Sequence, residues 1–522
     1  MPALQSGHVS RSLSSHLKMH GQQYRWPQGV TTGSVGLSLR QMEQLHGFSL
    51  LLLLLLLLLL APPPPAEASI TGRRQPPEMC KNKKQRDDVF NCAHSRTSAM
   101  RFLRPLLLAV LACLPAATQG VTLNFSAPVH LPAAGQYADA AFRLAGDTLV
   151  LQAAPLPPGG ARFAASPDLG GSWAAVTAGS CAARLAAGAL EGTPIRLPDG
   201  SLRGFGELLP DAREPPGTAW VAGNATLLAA APGGGVACQV LAGEVSFRGL
   251  PRRSACGPTP AFGCPFRLGG NGLARLAGGS YVATAMVFTS APDAKGVVPS
   301  SIVAFASPDG ARFTYAGTVA DAAAFPASQE GPNENALALL SDGATLACVL
   351  RTDAGDGPLS HPYAPYSLAL SRDGGAHWEQ RGQLAGAGAA RPRLLHLGAA
   401  PAGGVAAPAP LLLAGGRLRD AAAGAAGWDV DLWVNAAGDA QPGAWRRTSL
   451  SAAHNALAPA PLRFSPAVND SAAPRQCTSY TSLLELDGGA AAGARARRIG
   501  VTYNRNLNAS LDYFMMAFDV SF

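Results

Sequence analysis

SPDLGGSW (Ser166–Trp173), SPDGARF (Ser307–Phe313) and SRDGGAHW (Ser371–Trp378) share one short grammar: a serine, an aspartate two residues on, a glycine, then an aromatic. This is the chemistry of a tight turn. Serine and aspartate oxygens accept hydrogen bonds from backbone N–H groups of the loop, glycine takes the φ > 0 position, and the aromatic tucks beneath. Three copies imply a repeated unit. Two degraded copies, LAGEVSF ending at Phe247 and NAAGDAQPGAW ending at Trp445, complete the spacing. The aromatic ends then stand 74, 66, 65 and 67 residues apart, and a further step of 68 reaches Tyr513. A second marker keeps the same beat: apolar segments that turn on a glycine, at Gly146, Gly200, Gly279, Gly343, Gly415 and Gly488. Six markers predict six units.

Each unit of about 65 to 70 residues holds several short apolar or β-branched runs cut by Gly, Pro, Asp and Asn, with almost no long 3.6-residue periodicity. That length suits four antiparallel strands. Repeated four-stranded sheets protect their edges by closing radially, so the expected fold is all-β: a six-bladed β-propeller of four-stranded antiparallel blades. The competing architecture is a pair of β-sandwiches with coincidental turns.

The formal charge of +8 invites a nucleic-acid or membrane reading until it is divided along the chain. Residues 1–120 carry 13 Lys and Arg against 5 Asp and Glu, which leaves 28 of each sign in residues 121–522. The folded part is neutral, and no nucleic-acid partner is expected. Leu50–Leu60 is an unbroken leucine run before Pro62–Pro65, shorter than the roughly 20 residues of a membrane-spanning helix. Met100–Gly120 (MRFLRPLLLAVLACLPAATQG) has two arginines, an apolar stretch and a small-residue exit, and reads as a signal peptide with its own methionine. The expected organisation is therefore a low-complexity extension over 1–99, read as a gene-model artefact, a signal peptide over 100–120 and the propeller over 121–522. The product would be secreted or lumenal, or else anchored through the leucine run. Sequons at Asn124, Asn224, Asn469 and Asn508 fit an exported chain. Six cysteines follow residue 120, Cys181, Cys238, Cys256, Cys264, Cys348 and Cys477, enough for three disulfides.

Together the boxes resemble the Asp-box repeats of the sialidase (neuraminidase) superfamily, across residues 121–522. The resemblance implies a retaining glycosidase whose nucleophile is a tyrosine paired with a glutamate. Sialic acid bears a carboxylate on its reacting carbon, so a neutral phenol approaches where a carboxylate nucleophile would be repelled. Arginines, whose planar forks match a carboxylate, hold the substrate. NENALALLSDGATLACVLR (Asn333–Arg351) is similar to the family segment in which a Glu opens an inner strand and an Arg closes the next, implying Glu334 as base and Arg351 as a substrate-binding arginine. CTSYTSLLEL (Cys477–Leu486) is similar to the start of the family's final inner strand pair and offers Tyr480 as nucleophile. Arg391, Arg393, Arg417 and Arg419 fall in the fifth unit, where another substrate arginine belongs; Arg391 and Arg417 are favoured for the mouth.

The chain departs from the family pattern at three places. The first inner strand reads YADAAFRLAGD, with Tyr137 near the expected arginine and Arg143 close by. LVLQAAPLPPGGARFAASPD has no carboxylate before Asp168, so the family's acid/base aspartate is missing; Glu207, Asp211 and Glu214 are the carboxylates that could replace it. Tyr503-Asn504 stands where the family has Tyr-Glu. No metal-ligand spacing and no cofactor motif occurs, and the scattered His130, His361, His377, His396 and His454 read as structural or exposed. Two functions stay open: an exo-α-sialidase-type hydrolase of terminal acidic sugars, or an inactive sialidase-like propeller that binds sialylated or other acidic glycans or a cell-surface partner.

Overall fold

In a computed structural model of the chain, the residues described are 121–131, 138–153, 163–176, 191–197, 200–205, 208–231, 235–251, 254, 266–288, 299–328, 330–352, 365–386, 388, 391–398, 409–419, 427–464, 480–487, 496–507 and 510–522. They are almost all strand. β1 (Thr122–Phe125) and β2 (Val129–Leu131) come first. A run β3 (Ala138–Arg143), β4 (Leu149–Ala153), β5 (Phe163–Ser166) and β6 (Ala174–Ala175) follows. The next run is β7 (Glu191–Arg196), β8 (Leu202–Phe205), the short β9 (Leu209–Pro210), β10 (Trp220–Ala230) and β11 (Val236–Arg248). After it come β12 (Phe266–Arg275), β13 (Tyr281–Phe288), β14 (Ser300–Ser307) and β15 (Arg312–Ala320). Then come β16 (Asn335–Leu339), β17 (Leu346–Leu350), β18 (Ser367–Ser371) and β19 (Glu379–Gln383), followed by β20 (Arg393–His396), β21 (Leu411–Arg419), β22 (Gly427–Asn435) and β23 (Trp445–Ser449). A helix α1 (Leu450–Leu457) precedes β24 (Ser482–Glu485), β25 (Ala496–Leu507) and β26 (Ser510–Ser521).

Within each run, pairing is antiparallel and mostly between neighbours in sequence. The second, third and fourth sets of strands join into one continuous hydrogen-bonded path through two short parallel contacts, β11 with β15 and β12 with β16. β1 and β2 pair antiparallel with β26, in the register Thr122↔Ser521 and Val129↔Met515, so the start of the described chain completes the last sheet. Middle strands are buried on both faces, as in LACVL of β17 and SLALS of β18. Fourth strands are charged and exposed, as in EQRGQ of β19 and WRRTS of β23, which blunts an edge that would otherwise pair with another chain.

Apolar clusters lie between consecutive runs. Phe205, Trp220, Phe247, Phe266, Phe305 and Phe313 fill the space between the β7–β11 and β12–β15 runs. Leu337, Leu346 and Leu350 meet Ile302 and Val319 in the next space, and Leu368, Leu411 and Trp433 fill the one after it. Leu432, Ile499 and Phe518 join the last two runs. Leu149 and Leu151 then meet Leu484 and Met515, joining the first run to the last, and Phe142 and Phe163 meet Leu202 and Leu228, joining it to the second. First strands touch in the same order: β7 with β12, β12 with β16, β16 with β20, β20 with β24 and β24 with β3.

The three turns are built alike. Ser166, Ser307 and Ser371 each donate Oγ–H to Asp168, Asp309 and Asp373 while accepting the N–H of Gly170, Gly310 and Gly375 at 2.7–2.9 Å. Each aspartate Oδ1 accepts further N–H groups, from Ser172, from Ala311 and Arg312, and from His377. Trp173 and Trp378 donate Nε1–H to the carbonyls of Gly170 and Gly375. NAAGDAQPGAW is also a turn, with Asp439 accepting from Gln441 N–H and Asn435 Nδ2–H.

Three expectations need correction. LAGEVSF is no turn: it lies inside β11, where Gly243 sits beside a bulge, and Phe247 aligns with Phe313 across the parallel contact, the rings stacked at 4.6 Å. Gly146, Gly200, Gly279 and Gly343 do turn between first and second strands with positive φ, but Gly415 is inside β21, packed against Tyr366, while Gly488 lies outside the described residues. Three disulfides cannot form from the six cysteines, because Cys348 is a free thiol buried in β17; Cys181, Cys256, Cys264 and Cys477 lie outside the described residues. Among the described residues no helix is long and apolar enough to cross a membrane, and Leu50–Leu60 is outside them.

Candidate active site

Antiparallel alternation makes first strands begin, and second strands end, at the same rim of each run. Glu334 immediately precedes β16 and Arg351 immediately follows β17. Their backbones extend that ladder: Arg351 N–H donates to Glu334 O at 2.8 Å and Asn333 N–H to Arg351 O at 3.1 Å. Asn333 Oδ1 caps the entry by accepting Glu334 N–H. Arg391 lies two residues before β20, and Tyr480 two before β24. Four side chains distant in sequence are thus delivered by strand ends of the fourth, fifth and last runs.

They converge. Tyr480 Oη–H donates to Glu334 Oε1 at 2.7 Å, and Arg351 Nη1 donates to Glu334 Oε2 at 2.8 Å. Arg391 Nε stands 3.5 Å from Glu334 Oε1, and its guanidinium lies over the Tyr480 ring, 5.1 Å from the centroid. Burial pushes the Glu334 carboxyl up, but the charges of Arg351 and Arg391, with hydrogen bonds from Arg351 and Tyr480, outweigh it and hold the group down at about 2. The Tyr480 phenol is pushed well above its ordinary value by burial and by the Glu334 charge, with Arg391 and Arg351 opposing. At neutral pH the pair is a neutral phenol donating to an ionised carboxylate.

Beneath this layer Arg393, 1% exposed, donates Nε–H to Thr481 O at 2.8 Å, tying β20 to the residue after Tyr480. Asn335 Oδ1 accepts from Thr284 Oγ1–H at 2.6 Å. Arg393 was visible in the sequence as an alternative to Arg391; its buried place was not, because RPRLLH alternates both arginines onto the same side.

The remaining sequence candidates are elsewhere. The Arg417 side chain lies outside the described residues; its backbone pairs with Asp429 within β21 and β22. Arg143 ends β3, at the rim opposite the strand starts, and donates Nε–H to Gly146 O. Asp211 is buried and clamped by Arg213 at 2.7 Å and Arg248 at 3.0 Å, and the Arg213 hydrogen bond lowers its carboxyl below the ordinary range. Glu214 is held by Arg248 at 3.2 Å. Tyr137 and Glu207 lie outside the described residues. Tyr503 Oη bonds His454 Nδ1 at 2.8 Å, and Arg505 pairs with Asp512 while donating to the carbonyls of Pro461 and Arg463; both serve the packing of α1.

No protein-family model matches the chain, and no curated protein matches it by sequence. Among solved structures it is similar to a Trypanosoma rangeli sialidase in complex with sialic acid, at 12% identity and TM-score 0.37, over 75% of this chain and 54% of that one. It is also similar to a Penicillium chrysogenum alpha-L-arabinanase complexed with arabinobiose, at 13% identity and TM-score 0.39, over 76% and 98%. A third is the subtype N11 neuraminidase-like protein of A/flat-faced bat/Peru/033/2010 (H18N11), at 8% identity and TM-score 0.33, over 77% and 97%. The chain spans about half the length of the trypanosomal sialidase. What it does has to be read from its own residues.

Proposed function

We propose that residues 121–522 form a six-bladed β-propeller of four-stranded blades, closed by β1 on β26, and that it is a glycoside hydrolase of exo-α-sialidase type. The cyclic order of apolar clusters and first-strand contacts supports the architecture. One observation carries the chemistry: a tyrosine hydroxyl 2.7 Å from a half-buried carboxylate that two arginines also reach.

In this reading Tyr480 Oη attacks the anomeric carbon as its proton passes to Glu334, the bond to the leaving group breaks, and water later releases the sugar with retained configuration. A free Glu334 at about 2 is a weak base for so weak an acid as Tyr480. Binding of an acidic sugar corrects this mismatch. Its carboxylate competes for Arg351 and Arg391, weakens their hold on Glu334 and so strengthens it as a base just when the anomeric carbon is in place. Of the three carboxylates that the sequence offers as a replacement acid, Asp211 and Glu214 are committed to their arginines, which leaves Glu207 to protonate the leaving group.

Tyr480→Phe removes the nucleophile while keeping the ring under Arg391. Turnover of a fluorogenic sialoside by the wild-type protein should fall to background in the variant; equal turnover would refute the assignment. The second reading, a propeller that binds acidic glycans without cleaving them, is favoured by the immobilised Asp211. Glycan binding that survives in Tyr480→Phe, with no turnover by either protein, would establish it. Export through the segment Met100–Gly120 belongs to both readings, and a released chain beginning near Val121 is its test.

A further inference from the structure

The first strand of the third run is broken by a wide bulge. β12 pairs with β13 through Leu268↔Ala285 and again from Leu273↔Ala283, so Gly269, Gly270, Asn271 and Gly272 stand opposite Thr284 alone. Such a bulge pushes backbone out of the sheet, and glycine within a strand marks a close approach. None of its three glycines has a positive φ, so their backbone is open to any residue. What they lack is room. A Cβ on Gly269 would collide with Asn335 Oδ1, and one on Gly272 would stand 2.7 Å from the Thr284 carbonyl.

Gly270 faces the site arginines. A Cβ there would overlap Arg393 Nη1 and stand 2.6 Å from Arg391 Cδ and 2.8 Å from Arg393 Cζ. These arginines belong to β20 and its approach, with β16 lying between β12 and β20, so the bulge reaches past a neighbouring first strand. The stem of Arg391 leaves this contact for the Tyr480 ring and Glu334, and Arg393 leaves it for Thr481 O.

We propose that Gly270 is a positioning residue for the reaction: its missing side chain is the socket that lets Arg391 reach Tyr480 and Glu334 while Arg393 fastens Thr481. The catalytic part of this rests on the proposed function; the socket itself does not. An alanine at 270 forces one or both guanidiniums aside, and so loosens the residues that carry the nucleophile and hold a sugar carboxylate.

The test compares Gly270→Ala with Gly223→Ala, whose added Cβ would meet nothing within 4 Å, in the full chain. Tm is measured in wild-type and Arg393→Lys backgrounds, and affinity for the sialidase inhibitor DANA by calorimetry. Gly223→Ala should leave both unchanged. Gly270→Ala should lower Tm and weaken DANA binding by about tenfold or more. Its Tm loss should shrink in Arg393→Lys, because lysine has no Nη1 to overlap. Equal Tm losses in the two backgrounds, or none, would overturn the socket, and unchanged DANA affinity in folded Gly270→Ala would overturn the positioning role. If Gly270→Ala alone does not fold, a folded Gly270→Ala/Arg393→Lys protein supports the socket and an unfolded one overturns it. A wild-type chain that neither binds DANA nor cleaves a sialoside defeats the proposed function, while the Tm comparison still decides the socket.

Discussion

At Glu334 two arginines do different work, and their burial separates them. Arg351 is 4% exposed and bonded to Oε2 at 2.8 Å; the Arg391 side chain is 28% exposed and stands 3.5 Å from Oε1. Arg351→Ala leaves a half-buried carboxylate without its nearest cation, a change that costs less than the roughly 3–5 kcal/mol of fully buried pairs. It should appear as a loss in urea or thermal unfolding. Arg391→Ala should change stability little and instead weaken DANA binding, by the roughly 1.5–3 kcal/mol of one charge-assisted bond. Equal stability losses in the two variants would contradict this division. Tyr480, Glu334 and Arg351 came from the resemblance of NENALALLSDGATLACVLR and CTSYTSLLEL to family segments, and what the structure adds is that the three side chains meet. Gly270 was not legible, because what forbids a side chain there comes from arginines more than a hundred residues later in the chain.

At the scale of elements, the turns were legible and the strands between them less so. A serine and an aspartate that bond N–H groups within four residues leave their signature in the local sequence. LAGEVSF has the glycine and the aromatic of that signature but no aspartate, and it is a bulged strand. Its aromatic kept the beat because Phe247 and Phe313 stack on adjoining outer strands. The crossover carrying α1 shows no motif at all, yet it is pinned by polar contacts: Ser449 Oγ accepts Ala452 N–H, His454 bonds Tyr503 Oη and Leu462 O, and Arg505 takes the carbonyls of Pro461 and Arg463. Burial, aided by the nearby Arg505 charge, lowers the affinity of His454 for a proton below that of a free histidine. The unfolded chain therefore binds the proton at higher pH than the folded one. Stability supplied by neutral His454 is complete above about pH 6.5 and is lost as pH falls below it. Tm should drop between pH 7 and 5, and drop less in His454→Gln; equal slopes would remove His454 from the account.

Across the whole molecule, chemistry depends on closure. Tyr480 belongs to the last run and Glu334 to the fourth, 146 residues earlier, and they meet because consecutive runs pack in cyclic order and the chain start is zipped onto β26 by β1 and β2. The repeat length raised the expectation of radial closure, since a set of short antiparallel sheets is best protected when no end is left open. Side-chain identity at the mouth was harder to foresee, because each strand contributes one or two residues there and no local pattern records which neighbours they will meet. The proposed mechanism stands on Tyr480 becoming covalently bound to the sugar. Incubating the protein with a 2,3-difluoro acidic sugar, which forms the glycosyl-enzyme but releases it slowly, and mapping the added mass by peptide mass spectrometry tests this directly. One adduct is expected, on Tyr480, absent from Tyr480→Phe. An adduct on another residue, or sialoside turnover with no adduct on Tyr480, would contradict that mechanism.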